Sequence, residues 1–422
     1  MPIERDAIVA PEGHSSRHVH PSLYMVLILP FGVIGGFLQV SIGYMLAQAG
    51  VSTERIGALV AISYLPHTWK FLWAPIADLT LTRKSWYVIA CVMTAVGIWA
   101  TSGLPATANG LRALTYVVLI SNFAVTFLGM SVESLMAYGA ADDEKGRAGG
   151  WFQAGNLGGT GIGGGIGLWL VQILPAAWMS GAILAIGCLA CTLGLLFVPE
   201  PVAAHRGESV GKNLKHVVRD LWDVARSRVG FLALFLCFLP IGSGAASGLW
   251  SAVASDWHAS ANTVALVTGV VGGIASAVGC LIGGFISDRM NRQWAYALYG
   301  ILQGLCAVAM ALAPRVEATY IVFTLIYAVV TGLTYAGFSA FVLEAMGKGA
   351  AATKYNVFAS LSNTPIAYMT SIDGWAHTRY GPSGMLYTEA LFGVAGLVLF
   401  TVVFSAARRY WRMGAAGAEA GA

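Results

Sequence analysis

Twelve apolar runs, each about as long as a bilayer crossing, constrain this chain more than any other feature. They occupy 22–47, 55–78, 86–104, 112–139, 149–174, 177–198, 229–254, 262–287, 294–313, 317–343, 353–378 and 384–407. A helix needs about 20 mainly apolar residues to cross the hydrocarbon core, and lipid offers no water to bond an irregular backbone. The sequence therefore predicts an all-α membrane protein with twelve transmembrane helices. Charged residues make up 10% of the 422, against about 25% in soluble domains, so no soluble core accounts for it. The same composition excludes intrinsic disorder, nucleic-acid binding and a secreted disulfide scaffold. The first 21 residues are polar and the first apolar run is too long for a signal-peptide core, so no cleavable signal is expected. Cys91, Cys188, Cys191, Cys237, Cys280 and Cys306 lie in apolar runs without metal-ligand spacing. They read as small buried hydrophobes, and no metal or cofactor is expected.

The longest polar interruption, 199–228, separates six spans from six. It divides the chain into an N-terminal tail (1–21), a first half (22–198), a central loop (199–228), a second half (229–407) and a C-terminal tail (408–422). The central loop holds a candidate surface helix from Asn213 to Arg228, where apolar residues recur at helical spacing. With the N-terminus in the cytoplasm, nineteen Lys and Arg fall in cytoplasmic segments. Only Arg55, Arg112, Arg315 and Arg379 fall on the other side. The positive-inside rule then puts both termini and the central loop in the cytoplasm of a multi-pass inner-membrane protein.

The halves echo each other. Span two ends on Asp78, followed by Arg83 and Lys84; span eight ends on Asp288-Arg289, followed by Arg292. Arg147 and Asn156 at the start of span five match Lys354 and Asn363 at the start of span eleven. Six plus six spans with acid–base turns at equivalent positions resemble the major facilitator architecture, whose halves rock about a central site. On that reading Asp78, Arg83, Asp288, Arg289 and Arg292 are gating turns. Gly155, Gly159, Gly163 and Gly167 in span five, with Gly269/Gly273 and Gly279/Gly283 in span eight, recur every fourth residue. Such stripes let helix backbones touch, as either a static or a moving interface.

A charge at mid-bilayer costs about 2.5–3.5 kcal/mol on insertion scales and needs a reason. Lys70 lies eight residues before the end of span two, roughly 12 Å in at 1.5 Å per residue. His67 is one turn deeper, and Glu133 in span four sits at a depth comparable to that of Lys70. Asp373 and His377 form an i, i+4 pair near the outer end of span eleven, and Glu344 ends span ten. Two readings stay open. In one, Lys70 attracts an anionic substrate group and Glu133, with Asp373 second, carries a proton. In the other, Lys70–Glu133 is a structural ion pair and Asp373–His377 a lock at the outer mouth. Uncharged substrate-binding candidates are Gln39 and Tyr44 on span one, Gln153 and Asn156 on span five, Trp250 on span seven and Asn363 on span eleven. Trp250 reads equally as an interfacial anchor.

The stretch His67-Thr-Trp-Lys70-Phe-Leu-Trp73-Ala-Pro75-Ile-Ala-Asp78 resembles the span-two signature of the AmpG-like permeases. The segment Glu133–Gly146 resembles that family's fourth-helix region, and Ala352 to Trp375 its eleventh. The resemblance implies a proton-driven importer of muropeptides, of siderophores in a shorter subfamily, or of acetyl-CoA. The chain departs from the family where Leu128-Gly129 and Met136 replace polar and charged residues of the fourth helix, and Ser243 a seventh-helix acid. Fewer fixed charges shift the expectation from muropeptide towards a siderophore-like cargo.

Neither a channel nor a membrane enzyme fits: there is no H-E-x-x-H or G-x-S-x-G, and no Walker loop suggests ATP drive. The expected function is secondary active transport. The partners are a small molecule, protons and the lipid bilayer, and the working unit is a monomer. Alternative readings are an acetyl-CoA or other metabolite carrier, or a proton-driven exporter.

Overall fold

The computed structural model describes residues 19–139, 145–200, 215, 219, 222, 226–346 and 357–420. Lys354 and nearly all of the central loop with its candidate helix lie outside the described residues, as do the side chains of Asp78, Arg147 and Glu344. The spans are α1 (Ser22–Gln48), α2 (Thr53–Trp69, then Ala74–Leu79), α3 (Arg83–Gly103), α4 (Leu111–Gly139), α5 (Lys145–Gly161, continuing to Gly167–Ile173) and α6 (Ala177–Leu196). The second half holds α7 (Arg228–Cys237, then Ala245–Leu249 and Trp250–Val253), α8 (Ala261–Arg289), α9 (Arg292–Leu312) and α10 (Glu317–Met346). Residues 357–380 form α11 and 382–420 form α12, joined through Gly381 at a positive φ of 73°. Among the described residues these twelve spans form two six-helix halves.

Two spans are not the continuous helices that the sequence predicts. In α7, Pro240 removes a backbone donor, and Gly242 and Gly244 take φ of 58° and 69°, a left-handed conformation that side chains resist. The carbonyls freed there are not left bare, as lipid demands. Tyr296 OH donates to Ile241 O and Tyr368 OH to Phe238 O, each at 2.8 Å. In α2, Lys70–Leu72 form a single tight 3₁₀ turn between two helical segments, with Pro75 in the first turn of the second. This break falls within the family-like signature.

Helices α1, α5 and α8 each contain a wider π-helical stretch, at Phe37–Ile42, Ile162–Ile166 and Val264–Val271. These stretches pack on one another, and Ser41 Oγ on α1 donates to the carbonyls of Gly163 and Gly164 at 3.1 and 3.2 Å. The four-residue glycine stripe lies against α1: methyl groups on Gly155, Gly159 and Gly163 would collide with the carbonyls of Met25, Leu29 and Val33. The stripe is therefore close packing within one half. Gly161 and Gly165, on the neighbouring face, meet Gly269 and Val270 of α8 in the other half. On α8, Gly279 and Gly283 abut Val329 and Leu333 of α10.

The halves also touch at the end that carries Arg55. A Cβ on Gly57 of α2 would strike Thr370 O of α11, and one on Gly374 would strike Thr53 O. Thr378 Oγ1 accepts the Glu54 N–H at 3.0 Å, and Ser251 Oγ of α7 donates to Gln39 O of α1. Five cysteines are buried and Cys280 is half-buried, as their apolar setting predicts.

Gly163→Ala would force α1 and α5 apart, because the new methyl meets backbone and not a flexible side chain. We expect a loss of about 1–3 kcal/mol, typical of overpacking. Gly158→Ala, whose Cβ meets nothing within 4 Å, should leave the unfolding temperature of the detergent-purified protein near wild type. Equal effects of the two substitutions would contradict the packing described.

Candidate functional site

The polar residues of α2 meet those of α4 at successive turns. His67 Nε2 lies 3.2 Å from Asn122 Oδ1, and its ring meets Phe31 of α1 edge-on with centroids 5.2 Å apart. Trp73 Nε1 donates to Thr126 Oγ1 at 3.0 Å. From between them on α2, Lys70 Nζ reaches further along α4 and donates to Glu133 Oε1 at 3.1 Å, with side-chain exposures of 14% and 28%. The 3₁₀ turn beginning at Lys70 sets where the ammonium leaves the helix. Both charges keep part of their surface open.

Above this pair, Gln39 Nε2 of α1 donates to Tyr64 OH of α2 at 3.1 Å. Tyr335 of α10 lies close enough to Tyr64 to interact electrostatically across the two halves, yet is 52% exposed.

The Lys70–Glu133 pairing is the juxtaposition that depth and sign suggest. Other candidates are placed differently. Trp250 is 2% exposed and packs edge-on against Tyr327 at 5.2 Å, so it is neither an interfacial anchor nor open to a substrate. Asn363 donates to the carbonyls of Ala359 and Ser360 on its own helix at 3.0 and 3.1 Å. The Asn156 carbonyl abuts Gly32 of α1 and accepts from Thr160 Oγ1. Gln153 is exposed and Tyr44 half-buried.

The expected Asp373–His377 pair does not form. His377 Nε2 lies 2.7 Å from Asp256 Oδ2 beyond the end of α7, and Asp373 faces Glu389 of α12. Helical spacing made the intrahelical pair possible, but the tertiary partner offers the shorter approach. Glu389 was missed, although it lies five residues inside span twelve and is legible by the rule that singled out Glu133. At the acid–base turns, Glu200 accepts the backbone N–H groups of Arg83 and Lys84 at 2.7 and 3.2 Å, and Arg83 Nη1 donates to Ala77 O at 2.5 Å. Arg289 folds over Phe285 of its own helix, 3.4 Å from the ring centroid, beside an exposed Asp288.

Residues 22–370 match the profile of the Major Facilitator Superfamily. The chain belongs to that superfamily. It is 24% identical over 391 residues to the anhydromuropeptide permease of Escherichia coli K12, covering 89% of this chain and 77% of the relative. This agrees with the resemblance in α2, α4 and α11. Among solved structures, a mutant form of the nucleoside transporter NupG superposes with a TM-score of 0.69 at 17% identity, covering 91% of this chain and 99% of that one. A D-xylose-proton symporter superposes with the same score at 14% identity, covering 90% and 96%. These likenesses establish the fold. As a facilitator, the protein is a multi-pass membrane transporter of the secondary class.

Removing one member of the Lys70–Glu133 pair leaves a partly desolvated charge without its partner. Lys70→Met should cost about 1–3 kcal/mol, below the roughly 3–5 kcal/mol of a fully buried pair. The double variant Lys70→Met, Glu133→Gln should recover part of the loss. Additive losses in unfolding temperature would show that the two charges do not interact.

Proposed function

We propose that this facilitator is a proton-coupled importer of the inner membrane, carrying a medium-sized polar or anionic metabolite by alternating access. Both termini and the 199–228 loop lie in the cytoplasm, so the Arg55 end faces outward and the contact of α2 with α11 closes the carrier to the outside. The observation that carries this reading is the partly exposed Lys70–Glu133 pair between α2 and α4. An incoming anionic group competes with Glu133 for the Lys70 ammonium, and protonation of Glu133 releases it. One proton and one anionic group then enter together, and the site is neutral before and after. That neutrality matters, because an unbalanced charge in the membrane interior is expensive.

Gln39, Tyr64 and His67 supply hydrogen-bonding groups to a cargo that is polar as well as charged. Similarity to a permease named for anhydromuropeptide supports a muropeptide-like cargo. The apolar Leu128, Gly129 and Met136 in α4 leave fewer fixed charges and favour a siderophore-like one.

Thermal unfolding of the purified protein against anhydro-muropeptides, free and iron-loaded siderophores and acetyl-CoA tests the cargo class. A ligand at 100 times its Kd stabilises the native state by about 2.7 kcal/mol. With a ligand in hand, uptake into vesicles tests the mechanism. Glu133→Gln should abolish stimulation by a proton gradient, and Lys70→Met should raise the apparent KM for an anionic cargo about tenfold or more, since a charge-assisted hydrogen bond is worth about 1.5–3 kcal/mol. Gradient-driven uptake that survives Glu133→Gln would remove Glu133 from the coupling role.

A further inference from the structure

A second pair of acids lies away from the Lys70 site. Asp373 of α11 and Glu389 of α12 are 0% and 5% exposed, and their carboxyl groups face each other. Neither oxygen of Asp373 has a hydrogen-bond partner, and neither does Glu389 Oε2. Glu389 Oε1 is held by Tyr327 OH of α10 at 2.8 Å and by Ser243 Oγ, in the break of α7, at 3.4 Å. Three buried carboxyl oxygens without donors thus converge where each would ordinarily be costly.

Among the described residues, the surroundings supply no cation. From α10 comes the Tyr327 hydroxyl and from α7 the Ser243 hydroxyl. On α9 the neutral Gln303 amide is already bonded to Thr331 and Thr334 at 3.1 and 3.4 Å. The facing part of α2 is the backbone around Gly57, with Glu54 one turn further out. One turn outward on α11, His377 is committed to Asp256.

We propose that Asp373 and Glu389 bind one proton between them, forming a second proton site in the C-terminal half. Ionised carboxylates only accept hydrogen bonds, so two facing each other cannot satisfy one another. A single proton turns one into a donor, creates an O–H···O bond between orphaned oxygens and halves the buried charge. Two close carboxyls in other proteins share a proton for this reason. Asp373 lies between Thr370 and Gly374, the residues of α11 that seat Gly57 of α2. The proton is therefore sealed under the contact between the halves, and it exchanges with water when α2 and α11 part. Proton binding stands without the transport reading; its coupling to a cargo rests on that reading.

Infrared spectroscopy of the full-length protein in nanodiscs, in sodium-free buffer at neutral pH, tests the site without a cargo. We expect a protonated-carboxyl C=O band that moves in D2O and is displaced or lost in both Asp373→Asn and Glu389→Gln. Tyr327→Phe, which keeps both carboxyls but removes the donor to Glu389, should shift the same band and serves if the acid variants do not fold. Absence of the band in the wild-type protein would overturn the proposal, as would a band indifferent to all three substitutions. Loss of the wild-type band on adding sodium chloride at constant pH would assign the pair to a metal cation, overturning it equally. Failure of cargo uptake to depend on protons would leave this spectrum unchanged, so the two readings fail separately.

Discussion

Lipid gives a transmembrane helix no reason to hide its apolar side chains, so helices in a bilayer are held by close backbone packing and by polar groups that find one another. In this facilitator that constraint is met by glycine against carbonyl. Gly155, Gly159 and Gly163 seat α5 on α1, Gly279 and Gly283 seat α8 on α10, and Gly57 and Gly374 bring the two halves together. Around Gly163 the helices widen into π turns and Ser41 bonds the adjoining carbonyls. The polar sites follow from this arrangement, because it sets which side chains can reach each other.

Charge in the interior is handled in two ways. Lys70 and Glu133 cancel by pairing and keep part of their surface open, so a solute can compete for either partner. Asp373 and Glu389 carry the same sign and are sealed, so only a third, positive species can balance them. The first arrangement suits a site that meets cargo. The second suits a small ion held away from water while the halves are closed over it.

Much of the architecture was legible in the sequence. Twelve apolar runs, a polar interruption after the sixth and repeated acid–base turns are one-dimensional signals, and the helices appear where those signals put them. Lys70 and Glu133 were legible as partners because they have opposite sign at similar depth on spans two and four. The continuity of α7 was misread: apolarity carried across Pro240, although Gly242 and Gly244 nearby allowed a turn that hydrogen bonds from Tyr296 and Tyr368 stabilise. Asp373 was assigned to His377 because helical spacing is visible in a sequence and the approach of a neighbouring helix is not.

The sequence by itself determined how many times the chain crosses the bilayer and which residues carry charge into it. Length and transfer cost act on each segment separately, without reference to its neighbours. Only the tertiary structure decided which charges meet. His377 pairs with Asp256, 121 positions away, and Asp373 faces Glu389 across a kink at Gly381. Electrostatic partnership depends on a few ångströms of separation between helices. That separation is fixed by how glycine-bearing backbones pack, which no single segment encodes.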